Sequence, residues 1–387
     1  MATEKIDLNN LDKSDWKTYR FDEIAQNISE RVDPNNTDLE VYIGLEHIDS
    51  ESLHIKRHGT PDDVNGTKLK FYKDDIIFGR RRAYQRKAGI ATCDGFCSAH
   101  ALVLRANPDV IDPALFPFFM HSDLFMNRAV DISVGSLSPT INWGTLKHQT
   151  FLIPPKEKQS QLAELFWQAD NVLQSNLNNK SSLSHYYSTV IDNLFSIANK
   201  NWTYLPLNSV ANINEATLNS KTNQQYEFRY LDLTSIEGPK LLGNMNILQY
   251  GNAPSRARRI VKNKSTVIAL VRPYQQAIVY IEDAENIISS TGTAVVDAKK
   301  EINSRFLFHQ LFSKRFLNFC EQMMTGTSYP AITADDLALY KVGIPESKLI
   351  QDKIAENLDS IEKSQKNNIR AIKTSFELQK SLINQVF

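Results

Sequence analysis

The sequence predicts an α+β protein in which one unit is written twice. Each unit is a β-rich α/β domain followed by a long helix, and the two helices pair as an antiparallel coiled coil. Three observations carry this. The chain has 387 residues, too many for one ordinary core. It aligns with itself at an offset of about 190 positions. Each half also ends in a stretch without glycine or proline, 156–195 and 347–387.

The internal match is ordered. "WKTYRFDEIAQNI" from Trp16 answers "WTYLPLNSVANIN" from Trp202, and "YIGLEHI" at Tyr42 answers "YLDLTSI" at Tyr230. "RAYQ" at Arg82 answers "RPYQ" at Arg272, and "GSLSPTI" at Gly135 answers "GTSYPAI" at Gly326. "IDNLF" closes the first copy at Phe195, as "INQVF" closes the second at Phe387. A steady offset kept in order indicates a tandem duplication.

Within each copy the first part holds short apolar runs, "DIIFG" and "HALVLR" in one, "STVIALV" and "GTAVVDA" in the other, separated by turn residues. These read as strands. "DPALFPFFMHSDLFMNRAV" and "SRFLFHQLFSKRFLNFCEQM" read as one helix or two short ones. In the closing stretches apolar or permissive residues recur every four and three positions: Leu162, Phe166, Ala169, Leu173, then Asn176 and Lys180, in the first. The second runs Ile354, Leu358, Ile361, then Gln365 and Asn368. That is the seam of a coiled coil, and both seams turn polar in the middle. About 35 residues make a helix of about 50 Å. The expected boundaries are 1–155 and 199–345 for the domains, 156–198 and 346–387 for the helices.

Composition narrows the class. Hydrophobic residues make 42% and charged residues 23%, as in a soluble globular chain. No run is long and apolar enough for a membrane span, and "MATEKIDLNN" lacks the core of a signal peptide. Three cysteines fit a reducing compartment, so a cytoplasmic protein without membrane contact is expected. Catalytic signatures are scarce: no phosphate loop, no His-Glu-x-x-His and no adenine-methyltransferase motif. Cys93, Cys97 and His100 suit zinc by spacing, but no fourth ligand is evident, so buried thiols are expected instead. Asp335, Glu346 and Lys348 form a loose nuclease-like spacing better taken as surface charge. No catalytic residue and no metal ligand is expected.

The positive signal is electrostatic. Net charge is zero, yet "KLKFYKDDIIFGRRRAYQRK" from Lys68 gathers cations, as does "PSRARRIVKNK" from Pro254. Arg80, Arg81, Arg82, Tyr84, Gln85, Arg86 and Lys87 are the candidates in the first copy, and Arg256, Arg258, Arg259, Arg272, Tyr274 and Gln275 in the second. Arginine forks suit guanine edges, glutamine amides suit adenine, and lysine meets phosphate.

With these features the chain resembles the DNA specificity subunits of type I restriction–modification systems. The likeness rests on the doubled order, on "RRAYQRKAGI" and "VRPYQQAIVYI" after a strand, on the two Gly–Pro loops, and on "QSQLAELFWQAD" and "IQDKIAENLDSIE" opening the helices. The resemblance implies that each domain is a target recognition domain reading half of a split site in double-stranded DNA. It implies helices that space the domains and dock two methyltransferase subunits, with restriction/translocase subunits outside them. The chain would hold no cofactor; the methyltransferase would use S-adenosylmethionine, and the restriction subunit ATP and magnesium. The alternatives are a duplicated scaffold that binds only proteins, or a nuclease. The paired loops read either as hydroxyl donors to phosphate, through Ser136, Ser138 and Thr140 and through Thr325, Thr327 and Ser328, or as structural elbows.

Overall fold

Both halves of the chain lay down one shared framework in the same order, and differ in an edge strand of the second sheet and in a short hairpin, Ile236–Glu237 with Lys240–Leu241, found in the second half. The computed structural model describes residues 8, 11–195, 199–243 and 245–387. It divides into one unit that takes the chain up to Leu177 together with Arg370–Phe387, and a second of Asn178–Ile369.

In the first unit the strand Lys17–Arg20 leads through one helical turn, Phe21–Ile24, into the strand Ala25–Ile28. Lys17–Arg20 pairs antiparallel with Thr150–Ile153, which hands the chain to the long helix Lys156–Leu194. A four-stranded sheet runs in the order Ala25–Ile28, Ala101–Ala106, Ile76–Gly79, Ala88–Ile90. A second runs Arg31–Val32, Lys68–Phe71, Gly95–Cys97, Tyr42–Ile43, its last pair parallel. The run "IIFG" at 76–79 is buried throughout, as expected for a strand covered on both faces. "FPFFMHSDLFMNRAVD" breaks into two short helices because the Ser122 hydroxyl caps the second by accepting from the Phe125 amide at 3.1 Å.

The second unit repeats this framework by itself, with the outer strand of its second sheet on the opposite edge. Trp202–Pro206 pairs with Lys341–Pro345 ahead of the long helix Lys348–Val386. One sheet runs Ala211–Ile213, Thr293–Ala298, Ser265–Ala269, Ile278–Ile281; the other runs Asn246–Gln249, Glu227–Leu231, Ile287–Ser290, Ala257–Ile260. Ser313 caps Lys314–Met323 as Ser122 caps Asp123–Asp131.

Each long helix has 39 residues, and the helix partners run antiparallel within each unit. In the first, Asn176 donates to the Ser375 hydroxyl at 3.0 Å, and Gln379 donates to Asp170 at 3.1 Å, so one number falls as the other rises. In the second, Gln365 donates to the Leu183 carbonyl. Asn176 and Gln365 of the polar middles thus find polar partners, whereas the Asn368 Oδ1 is buried without one among the described residues. The seam is wider at the helix ends than the spacing predicts. Ala163, Ile191, Phe195, Ala355 and Ile383 are buried beside the expected Leu162, Phe166 and Leu358, because these ends join the domain cores. Phe387 meets Phe119 at 5.3 Å in the first unit, and Phe195 meets Phe306 at 5.6 Å in the second. No helix among the described residues is long and apolar enough to cross a membrane.

In the second unit the domain is tied to the helix by a buried polar cluster. Arg305 pairs with Asp359 and Glu362; the neutral His309 ring donates from Nε2 to Asp359 at 2.7 Å and accepts the Tyr187 hydroxyl at 2.8 Å. Burial pushes His309 below its ordinary value. Burial would raise both carboxyls, but His309 and Arg305 at Asp359, and Lys366 and Arg305 at Glu362, outweigh it and hold them low. Unfolded, these groups titrate near 6.5, 3.8 and 4.5. The unfolded chain therefore binds more protons throughout this range. Thermal unfolding of the chain should show stability falling as pH drops below about 6.5, and further in the carboxylate range. His309→Gln should shrink the upper limb without abolishing it, because burial also pushes His121 down to about 4, and should weaken the part of the lower limb that Asp359 contributes.

Candidate nucleic-acid interface

The arginines of the repeated "R-x-Y-Q" occupy the loop of a hairpin. In the first unit Ile76–Gly79 and Ala88–Ile90 are its strands, and Ala83–Gln85 makes one 3-10 turn between them. Arg82 and Arg86 flank that turn with φ of 57° and 51°. In the second unit Ser265–Ala269 and Ile278–Ile281 are the strands and Pro273–Gln275 the turn. Arg272 and Gln276 flank it with φ of 51° and 48°. Left-handed backbone at a non-glycine residue costs roughly 1–3 kcal/mol and persists only where the surroundings impose it.

The Gly–Pro loops impose it. The Arg82 amide donates to the Pro139 carbonyl at 2.7 Å, and the Arg272 amide to the Pro330 carbonyl at 2.7 Å. Ile141 donates back to the Arg80 carbonyl at 2.9 Å, and Ile332 to Leu270 at 3.0 Å. Each loop is closed on itself by paired bonds, Val134 with Thr140 and Thr325 with Ala331. The reversals are made by Gly135 at φ 118° and Gly326 at φ 93°, which a side chain would strain. The repeated loop is therefore a clamp on the arginine turn.

The expected residues fall into distinct settings. Arg81, Arg82 and Tyr84 are exposed, with Tyr84 at 54%. Arg81 and Arg82 each donate to the Ser138 hydroxyl at 3.3 Å. Arg80 and Gln85 are half-buried, while Ser136 lies exposed on the clamp and Thr140 donates within it to the Ser138 carbonyl. Arg86 points inward to Asp123 at 2.6 Å, Glu51 and the His121 carbonyl, and Lys87 caps the Leu45 carbonyl at 2.6 Å. Those two anchor the turn.

In the second unit Tyr274 and Gln275 are exposed beside the half-buried Arg272, whose guanidinium lies 5.1 Å from the Tyr329 ring centre. Thr327 and Ser328 are exposed at the clamp tip. Arg258 and Arg259 lie on the strand Ala257–Ile260 of the other sheet, Arg258 over Tyr250 at 5.0 Å. Arg256 precedes that strand and meets Asp232 at 3.3 Å. The Arg256 carbonyl accepts from Thr291, and the Leu270 amide donates to Gly292, so both cationic segments border one turn.

The apolar tips Leu137 and Tyr329 were not among the sequence candidates. They are 91% and 71% exposed, and only their place in the doubled loop marks them. The zinc spacing comes apart: Cys97 is buried on a strand, with its thiol pushed up to about 12 by burial and Asp75, whereas Cys93 is exposed, against the expectation of a buried thiol. Among the described residues the one cluster with metal-ligand types is His309, Asp359 and Glu362, already paired to Arg305. Lys348 donates to the Lys300 carbonyl, and Asp335 sits in the first turn of Ala334–Ala338.

Hairpin, clamp and helix partner recur together in each unit, the layout of a tandem-repeat recognition protein. The chain belongs to the type I restriction modification DNA specificity domain family, whose model matches residues 13–182 and again 199–375. It is 27% identical over 165 residues to the type I restriction enzyme EcoDI specificity subunit of Escherichia coli, covering 41% of this chain and 36% of that one. It is 22% identical to the putative type I restriction enzyme MjaX specificity subunit of Methanocaldococcus jannaschii, over 85% of this chain and 83% of that one. Its fold is similar to the type I restriction-modification S subunit from M. genitalium, with TM-score 0.58, 16% identity, and coverage of 99% and 98%.

Gly326→Ala should destabilise the clamp by roughly 1–3 kcal/mol without changing charge. Hydrogen exchange at the Arg272 amide should rise in that variant; an unchanged rate would separate the clamp from the turn.

Proposed function

We propose that the chain is the DNA-reading subunit of a type I restriction–modification complex, each recognition domain reading one half of a bipartite site in double-stranded DNA. The observation that supports this most is the same clamped arginine turn, in the same backbone conformation, in both units. A strained turn that presents guanidiniums and a tyrosine to solvent is preorganised for base edges and phosphates. In the first domain, residues 1–155, Arg81, Arg82 and Tyr84 form the reading face, with Arg80, Gln85, Ser136 and Ser138 beside it. In the second, 199–345, the face is Arg272, Tyr274 and Gln275, with Arg256, Arg258, Arg259, Thr327 and Ser328 beside it. Arg86 and Lys87 hold the first turn in place. The helical segments 156–198 and 346–387 dock two methyltransferase subunits, and restriction/translocase subunits join outside them. S-adenosylmethionine belongs to the former, ATP and magnesium to the latter, and the assembly works in the cytoplasm.

Methylation mapping of the source genome tests this, with the gene intact, deleted or altered. The intact gene should mark one motif of two blocks at a fixed gap, and deletion should erase it. Arg81→Ala should cost about 1–3 kcal/mol of specific binding and relax one position of one block, and Arg272→Ala one position of the other. Binding by the full complex should also weaken steeply with salt, because phosphate contacts release counterions. An unchanged motif after both substitutions would overturn the assignment.

A further inference from the structure

Leu137 leaves 91% of its surface in water although the loop that carries it is pinned at its base. The paired bonds of Val134 and Thr140 close the loop below it, and the Arg82–Pro139 bond fixes the loop to the hairpin. Val134, on the same loop, is 71% exposed. Folding gains nothing from a leucine in that position. The second clamp keeps the feature but changes its chemistry: its exposed tip residue is Tyr329, one place along from the counterpart of Leu137, which is Ser328. A large apolar tip on a clamped loop in both units points to contact with a ligand rather than to chance exposure.

The neighbours define that ligand. Arg81 and Arg82 converge on Ser138, the residue after Leu137, so two guanidiniums lie at the residue next to the leucine. A partner here must be anionic around its edge and offer a small apolar group within. Duplex DNA answers this: phosphates line the groove, and the isolated apolar feature among the major-groove base edges is the thymine 5-methyl group. Resting on the DNA-reading role above, we propose that Leu137 contacts a thymine methyl in the half-site read by the first domain. The tip makes Leu137 a specificity residue, while Tyr329, with Arg272 stacked on it, presents a flat aromatic–cation pair and selects different bases.

The test uses the full complex with its methyltransferases and the mapped duplex, in which each thymine on either strand of the first block is replaced singly by deoxyuridine. This removes the methyl and nothing else. One replacement should weaken wild-type binding by about three- to fivefold, the scale of one buried methyl. Leu137→Ala should bind the unmodified duplex weaker by at least that factor and be indifferent to that replacement. Tyr329→Ala should keep the full sensitivity. If no thymine methyl in the block matters, or if the sensitivity survives in Leu137→Ala, the proposal is overturned while the arginine assignments stand. If Arg81→Ala and Arg272→Ala also leave binding intact, the DNA-reading role itself fails.

Discussion

The bond from the Arg82 amide to the Pro139 carbonyl, repeated from Arg272 to Pro330, is the contact on which the candidate interface depends. Each recognition turn carries two residues with left-handed backbone, and none of the four is glycine. Main-chain bonds from the clamp hold the first of each pair, Arg82 and Arg272, while Arg86 and Gln276 bond back to Ala83 and Pro273 within the turn. The clamp in turn precedes a short helix and the strand that enters the long helix, Thr150–Ile153 in one unit and Lys341–Pro345 in the other. Sheet, clamp and helix therefore fix one another, and exposed side chains are displayed from a backbone with little freedom. Preorganisation of this kind lowers the ordering cost of binding.

The two units meet the same packing problem with different chemistry. Where the first places Trp167 against Phe118 at 5.0 Å, the second places Asp359 against His309. The buried acid Asp170 is answered by His54 and Gln379, while Glu362 is answered by Arg305 and Lys366. A buried carboxylate at this point of the helix is costly unless paired. Each domain supplies the partner its own helices need: His54 in one, Arg305 in the other.

Much of this was legible in the residues. The duplication survives as an ordered self-match, and the long helices show themselves by four-and-three spacing without glycine or proline. The helix ends were less legible, since Ile191 and Ile383 are buried by domain surfaces distant in sequence. The candidate interface was legible as a region but not as a set of roles. In "RRRAYQRK" nothing local distinguishes Arg81 from Arg86. The difference is tertiary: Glu51 and Asp123 draw Arg86 inward, and no spacing announces acids 35 and 37 positions away. The Gly–Pro loop stood out by repetition, yet its action on the arginine turn passes through main-chain atoms, which leave no mark in side-chain identity. Leu137 and Tyr329 escaped because an apolar residue in a loop resembles any other until its exposure is known.

Site-specific photo-crosslinking from positions 84 and 274 to one target duplex tests the central claim most directly. Each position lies in the exposed turn of its own unit. With the full complex on its DNA, the account predicts that the two probes mark separate sequence blocks, one block for each probe. Crosslinks from both positions to the same block, or none from either while DNA remains bound, would contradict it.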